Sequence, residues 1–269
     1  MDRRILLGAL AAFALGALPA AAKDAAPPQA GRPALKARPT GDAAIIRTVA
    51  DAMGFIRGMG PGETNNTLNR LQLRGSGKVT EGGVAYTVPK YIYTLSLHLK
   101  AAREDIQRAG RPTGVRTVRV VSGNDAWDEK EPGVNGRATS DSAFSRRLAL
   151  SRTPFGLTRA LLDATPATVK ITDPGPAGKI TIAFPIEGVA TTITLDENYR
   201  PQTIAQTVEG KAIVTTYADY RDLAEYGVMF PTRWTETIDG KPHLDLKIDD
   251  GRVASYAVFP KPASLVAGR

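Results

Sequence analysis

Few residues in the chain have side chains suited to acid–base or metal chemistry. Its two histidines, His98 and His243, stand far apart, and neither belongs to an H-E-x-x-H pair or a similar set of metal ligands. Both are expected to be exposed residues on strands. Because the chain also has no cysteine, the sequence predicts no metal site, no cofactor and no thiol nucleophile.

Carboxylates offer the remaining route to catalysis. Asp125, Asp128, Glu129 and Glu131 crowd a single predicted turn, where they could act as a general acid and base. Their spacing matches no calcium loop, which favours a solvated acidic turn. No G-x-S-x-G motif is present for a serine hydrolase. The sequence therefore favours a protein that is not an enzyme.

The first residues predict export. Met1–Arg4 is basic, Ile5–Leu18 is apolar, and an A-x-A pattern ends at Ala22, which together are typical of a signal peptide over residues 1–22. Residues 23–41 are rich in Pro, Ala and basic residues, and we interpret them as a disordered linker. Residues 42–269 are then expected to form a single domain. The predicted location is the periplasm, with the mature protein soluble.

The charge of the chain limits its partners. The formal net charge is +8, but the basic residues are spread among acidic neighbours instead of forming runs. Nucleic-acid binding is therefore not expected. A transient contact with anionic headgroups at a membrane surface remains open.

The elements that must position any site are predicted from hydrophobic periods. An amphipathic helix is expected with Asp42 as its N-cap and its end near the Gly58–Gly62 cluster, and its apolar residues recur at spacings of four, four and three. The stretch "YIYTLSLHLK" has the period of two of a strand with one apolar face. The apolar residues of that face are Tyr91, Tyr93, Leu95, Leu97 and Leu99.

Two short helices are predicted in "SDSAFSRRLALSRTPFGLTRALLDA". In the first, Phe144 and Leu148 lie four residues apart; in the second, Thr153 caps the helix and Pro154 takes its first position. Strands are expected before and after this segment. We therefore predict a mainly β protein of the α+β class: an incomplete, curved antiparallel barrel with helices packed as a lid in its concave side.

Turns between the strands are predicted from glycine-containing pairs, which are strong hairpin signals between alternating runs. In the first half of the chain we expect turns at Gly75–Gly77 and Gly82-Gly83. In the second half the predicted turns are Glu187-Gly188, Glu209-Gly210, Asp239-Gly240 and Asp250-Gly251.

Several landmarks follow one another in a familiar order. They are the helix near Ile45, then "LKAARED", "VRVVSGNDAWDEKEPG" and "TPFGLTRALLDA", then "TITLDENYRPQTIAQTVEGKAIVTTYADYRD", and lastly "ASYAVFPKP". This order resembles the outer-membrane lipoprotein carrier family and the wider superfamily of lipoprotein-sorting-like proteins. The resemblance extends from about Ile45 to Pro262.

The resemblance implies a non-enzymatic carrier in which an apolar cavity between sheet and helical lid takes up acyl chains. The partner would be a lipid or an acylated protein. By resemblance, Arg103 stands near an arginine that holds the lid closed, and Phe155, Leu157 and Leu161 fall in the lid helix. The face of the strand and the resemblance together give these candidate ligand-binding residues: Tyr93, Leu95, Leu97, Arg103, Trp127, Phe155, Leu157, Leu161 and Trp234.

Two other functions remain open at the level of the sequence. The same sheet could bind a protein partner in an envelope protein with a structural or sensory role. A hydrolase that uses the carboxylates between Asp125 and Glu131 is the less favoured of the two.

Overall fold

The computed structural model describes residues 38–56, 68–110, 116–139, 142–175, 178–253 and 257–266. The predicted signal peptide, residues 1–22, and most of the predicted linker, residues 23–41, lie outside the described residues. Pro39–Arg269 clusters as one compact unit.

Helices occupy the beginning, the middle and the end of this unit. They are α1 (Asp42–Ala52), α2 (Ala143–Arg152), α3 (Pro154–Asp163) and α4 (Ala263–Val266), and a 3-10 turn follows α3 at Pro166–Thr168. Within the described parts of the chain, each helix is too short or too polar to cross a membrane.

Strands make up the rest of the ordered elements. They are β1 (Arg70–Glu81), β2 (Val84–Ser96), β3 (Ala101–Ala109), β4 (Arg116–Ser122), β5 (Asp125–Glu129), β6 (Arg137–Ala138), β7 (Lys170–Thr172), β8 (Thr181–Ile186), β9 (Val189–Leu195), β10 (Pro201–Val208), β11 (Lys211–Arg221), β12 (Phe230–Ile238) and β13 (Lys241–Val253).

All thirteen strands of the described chain join in one antiparallel sheet of order β6-β5-β4-β3-β2-β1-β13-β12-β11-β10-β9-β8-β7. Two meanders, β1–β6 and β7–β13, meet where β1 pairs with β13. In the described residues β6 and β7 stand at opposite edges, so the sheet does not close. The predicted fold class is confirmed: an open, curved antiparallel sheet with helices against it.

Four of the predicted turns are hairpins in the structure. Gly82-Gly83 joins β1 to β2, and the pairs Glu187-Gly188, Glu209-Gly210 and Asp239-Gly240 join neighbouring strands in the second half. Both residues of each pair have positive φ, as a two-residue hairpin turn whose twist matches its strands requires.

The predicted turn at Gly75–Gly77 is wrong, because both glycines lie inside β1. They permit a close approach of backbone: a Cβ at Gly75 would lie 2.0 Å from the carbonyl oxygen of Lys247 on β13, and one at Gly77 would lie 2.0 Å from that of Asp245. The register of β1 also shifts on both sides of Gly75, and such bulges bend and twist a strand.

The predicted turn at Asp250-Gly251 is also wrong, because β13 continues through it to Val253. Asp250 pairs with Arg74 and Gly251 with Leu73 of β1. The ring of Phe230 packs where a side chain at position 251 would stand, 2.7 Å from a Cβ built there. Glycine at this position therefore serves close packing and not a turn.

The main core lies between the sheet and helices α1 and α3. Helix α1 runs from Asp42 to Ala52 and buries Ile45 and Val49. The prediction of Asp42 as its N-cap is wrong, because Gly41 takes that position and Asp42 is the first helical residue. The helix also ends before the predicted Gly58–Gly62 cluster, which lies outside the described residues. The predicted cap of α3 is confirmed: Thr153 Oγ1 accepts a hydrogen bond from Gly156 N at 3.0 Å. On α2, by contrast, Phe144 is exposed while Leu148 is buried, so only one of the predicted pair reaches the core.

The strand with the period of two is shorter than its pattern. β2 ends at Ser96, and residues 97–100 form a turn. Tyr91, Tyr93 and Leu95 are buried on one face, as expected, whereas Leu99 is 48 % exposed. The sequence pattern continues past the end of the strand because Leu97 and Leu99 of the turn also occupy alternate positions, in step with Tyr91, Tyr93 and Leu95.

Candidate functional site

A cavity of about 350 Å³ lies between the sheet and helix α2. Its apolar lining comes from strands β1–β4, β12 and β13 and from one alanine of α2. Its polar lining comes from β1, β3, β4, β12 and β13, from α2, and from Ser142 just before α2. The apolar lining residues are Val79, Tyr93, Ala102, Ile106, Val121, Ala149, Trp234 and Leu244. The polar ones are Glu81, Glu104, Arg119, Ser142, Ser145, Arg146, Arg152, Glu236 and His243.

Helix α2 covers the cavity with one polar face. The residues that reach the cavity from α2 and its cap recur three or four positions apart, with one adjacent pair, Ser145 and Arg146, which places them on one side of a helix. They are Ser142, Ser145, Arg146, Ala149 and Arg152. The stretch "SAFSRRLALSR" contains this signal as a polar row, which apolar spacing alone does not reveal.

Arg146 fastens α2 to the sheet. Its Nη1 donates to the carbonyl oxygens of Val120, at 3.0 Å, and Trp127, at 2.7 Å, and its Nη2 donates to Asp128 Oδ1 at 2.7 Å. The guanidinium thus holds two strands, β4 and β5, by charge-assisted hydrogen bonds.

Arg152, the last residue of α2, is buried at the other end of the cavity. Its Nη1 donates to Gln206 Oε1 at 3.3 Å, and its Nε lies 3.4 Å from Glu236 Oε2. The hydroxyl of Tyr217 donates to its carbonyl oxygen at 2.8 Å. The C-terminal end of α2 is therefore also held by polar contacts, beside the burial of Leu148 and Leu150.

An aromatic cluster forms the floor beneath the cavity. The Trp234 ring meets Tyr91 and Tyr93 edge-on, each at 5.8 Å between centroids, and Tyr217 at 5.5 Å. Burial is the main cause that raises the pKa of all three tyrosines well above the usual value, and the charge of Glu104 raises the pKa of Tyr91 and Tyr93 further. The three hydroxyls stay protonated at neutral pH.

The carboxylates of the cavity wall are compensated by arginines and hydroxyls. Glu81 pairs with Arg108 and lies 3.8 Å from Arg119, which also lies 3.7 Å from Glu104. Glu104 accepts a hydrogen bond from Tyr91 as well. On the far side of the cavity, Glu236 accepts one from Thr215 at 3.0 Å, besides its ion pair with Arg152.

The two histidines differ more than the sequence suggested. His98 is exposed, in the turn after β2 and not on a strand. His243 is on β13 but only partly exposed; it lines the cavity, with Nδ1 3.0 Å from the carbonyl oxygen of Thr80 and Nε2 4.0 Å from Glu236 Oε1. The expectation that both are exposed strand residues is therefore wrong for each in a different respect.

The prediction of an acidic turn is wrong for three of its four carboxylates, which lie on strand β5 and form ion pairs. Asp125 pairs with Lys261 at 2.5 Å, Asp128 with Arg146, and Glu129 with Arg103 through two hydrogen bonds of 2.9 and 3.1 Å. Among the described residues, no group of three or more His, Cys, Asp or Glu could hold a metal ion.

Arg103 and Trp127 lie on the side of the sheet away from the cavity. Trp127 packs with Val118 and Val120, whose neighbours Arg119 and Val121 line the cavity, and residues alternate faces along a strand. Its indole nitrogen donates to Glu129, and the guanidinium of Arg103 stacks on Phe259 at 5.3 Å.

The structure brings two of the nine predicted ligand-binding residues to the cavity, Tyr93 and Trp234. Five others belong to the main packed core, where they are buried: Leu95, Leu97, Phe155, Leu157 and Leu161. The remaining two, Arg103 and Trp127, are those of the opposite face. The helix over the cavity is α2, whereas the sequence pointed to the segment that forms α3.

Comparison with known proteins concerns the fold. No family profile matches the sequence, and no curated protein matches it either. Among solved structures, a LolA superfamily protein from Nitrosomonas europaea is similar over 80 % of this chain and 94 % of its own, with 12 % identity and a TM-score of 0.43. LprF from Mycobacterium bovis is similar over 82 % of this chain and 98 % of its own, with 11 % identity and a TM-score of 0.34. The superfamily named for the first structure is the one that the order of sequence landmarks resembles.

Proposed function

We propose that this protein is a non-enzymatic periplasmic carrier that takes the apolar part of a lipid or an acylated protein into the cavity beneath α2. The observation that carries the proposal is the cavity itself. It has a floor of aromatic and aliphatic side chains, and a helix with a polar inner face lies over it. The periplasmic location depends on the predicted signal peptide.

The size and lining of the cavity support a small apolar guest. Its volume of about 350 Å³ lies within the range of about 300–1,000 Å³ that is usual for ligand pockets. Each methylene that leaves water for such a floor contributes about 0.8 kcal/mol. The charged groups of the wall then hold the guest in one orientation.

The way in which α2 is attached supports its role as a lid. Arg146 and Arg152 hold it through hydrogen bonds and an ion pair, and water can replace such contacts when the helix lifts. Leu148 and Leu150 still bury apolar surface, so the closed position is stable without ligand.

Of the residues that the sequence singled out, Tyr93 and Trp234 are proposed to touch the ligand directly. Leu95, Leu97, Phe155, Leu157 and Leu161 are proposed to support the floor and the neighbouring core. A direct role for Arg103 and Trp127 stays a prediction.

The first experiment is organic extraction and mass spectrometry of the protein purified without detergent, followed by titration with a fluorescent acyl probe. Ala149 of α2 faces the cavity, so Ala149→Trp should fill it and weaken probe binding at least about tenfold. The control Ala85→Trp adds the same ring at an exposed position of β2 and should leave binding unchanged. A protein that carries no lipid and takes up no probe would refute the proposal.

A further inference from the structure

Two hydrogen-bond donors in the cavity wall have no acceptor. Among the described residues, four buried side-chain nitrogens lack a hydrogen-bond partner, and two of them, Arg152 Nε and Trp234 Nε1, belong to residues that line this one cavity. Both residues are more than nine-tenths buried, with exposed fractions of 8 and 6 %. Buried donors are normally paired, so two exceptions in one wall call for a physical reason.

Both groups can only donate. An indole has one N–H and no acceptor, and a guanidinium has N–H groups alone. Glu236 Oε2 lies 3.4 Å from Arg152 Nε, but the two form an ion pair without a hydrogen bond, and that oxygen already accepts from Thr215. The Trp234 ring lies among the tyrosine rings, and its Nε1 has no hydrogen-bond partner there. What the wall lacks is therefore an oxygen acceptor.

The charges around the cavity favour a neutral acceptor over an anion. Its arginines, Arg119, Arg146 and Arg152, are balanced by Glu81, Glu104 and Glu236. Arg146 has a further carboxylate, Asp128, and Glu81 a further arginine, Arg108. Each arginine of the described cavity wall thus has a carboxylate partner, and burying a further carboxylate without a positive partner of its own would be costly.

We infer that Arg152 and Trp234 form a donor subsite for the carbonyl oxygen of an ester- or amide-linked acyl group. The inference rests on the proposed function, and it narrows the ligand class from apolar compounds in general to acyl groups joined through a neutral carbonyl. Both side chains line the cavity while their two unpaired nitrogens are buried, so the oxygen reaches the nitrogens when either side chain changes rotamer as the ligand enters.

The test compares three probes of equal chain length by displacement of the fluorescent acyl probe. They are methyl palmitate, the alkyl methyl ether of the same length, which lacks the carbonyl oxygen, and palmitate, which is charged. The wild-type protein should bind the ester about tenfold more tightly than the ether, as expected for hydrogen bonds to otherwise unpaired donors. It should also bind the ester more tightly than palmitate at neutral pH.

Trp234→Phe keeps an aromatic ring and removes the N–H. The ratio of the affinity for the ester to the affinity for the ether should therefore fall from about ten towards one. Because this variant touches the aromatic cluster, its folding is checked by circular dichroism, and Arg152→Lys supplies an independent variant that keeps the charge but removes Nε. The matched control is Arg200→Lys: Arg200 also has an unpaired Nε but does not line the cavity, so the preference should persist.

The outcomes separate the two proposals. Binding of no probe to the wild-type protein would overturn the proposed function and this inference together. Binding of ester and ether with equal affinity, or an ester preference that survives both variants, would overturn only the donor subsite. Tighter binding of palmitate than of its methyl ester would overturn the neutral carbonyl as the group that is recognised.

Discussion

Helices α2 and α3 are consecutive, ten residues long each, and joined at Thr153, yet they are held in different ways. Helix α3 buries Phe155, Leu157 and Leu161 in the main core. Helix α2 presents arginines and serines to a cavity and is fastened by hydrogen bonds to strands, and of its residues Leu150 joins the main core.

The difference teaches which helix is able to move. Apolar surface that leaves a core must enter water, which costs free energy in proportion to its area. An arginine that leaves a carbonyl oxygen finds water as a substitute, so the net loss is smaller. We therefore expect α3 to open only when the whole protein unfolds, and α2 to open locally while the rest stays folded.

The largest expected effect on the free energy of unfolding comes from raising the pH, because the aromatic floor beneath the cavity contains buried tyrosines. Tyr91, Tyr93 and Tyr217 have pKa values raised by burial, so they stay neutral in the folded protein at a pH where they ionise in the unfolded chain. The stabilisation is complete below about pH 10 and is lost as the pH rises further, by about 1.4 kcal/mol per pH unit for each tyrosine.

The check is denaturant unfolding at several pH values, with phenolate absorbance recorded in parallel. Stability should be level up to about pH 10 and then fall steeply, with the buried tyrosines ionising only as the protein unfolds. Phenolate formation in the folded protein, without loss of stability, would contradict this account of the floor.

The next largest effect is the difference in stability loss between two Phe→Ala substitutions, one in each helix. Phe155 of α3 is fully buried, 5.2 Å from Phe230 between ring centroids, whereas Phe144 of α2 is 39 % exposed. Phe155→Ala should lower the free energy of unfolding by about 3–5 kcal/mol, since it leaves a cavity in the core. Phe144→Ala should change it by less than about 0.5 kcal/mol. Denaturant titration measures both, and similar losses would mean that Phe144 contributes as much apolar packing to α2 as Phe155 does to α3.

Local sequence signals predicted the hairpins correctly where the pair of residues stood between two strands. The same kind of signal failed at Asp250-Gly251, because the ring of Phe230 needs the space above that glycine. It failed at Gly75 and Gly77 because the backbone of β13 approaches them closely. Such contacts join residues far apart in the chain, so no local pattern contains them.

The site was predictable in part for a similar reason. The period of two in β2 correctly put Tyr93 on the inner face, and the cap of α3 was fixed by its own neighbours. The choice between α2 and α3 as the helix over the cavity depends on where each lies on the sheet. That position follows from the bonds of Arg146 to β4 and β5, which no spacing along the chain reveals.

Arg146 and Arg159 give the smallest and most local test of the comparison. Arg146→Met on α2 removes three hydrogen bonds to the sheet and should lower the free energy of unfolding by about 1–3 kcal/mol. Arg159→Met on α3 removes only a solvent-exposed ion pair with Asp163, so it should lower the free energy of unfolding by less than about 0.5 kcal/mol. Hydrogen exchange measured along the chain should show faster exchange in α2 of the Arg146→Met variant, with α3 and the sheet unchanged. Equal acceleration in both helices would mean that they open as one unit, and the contrast between them would then lie in their chemistry and not in their motion.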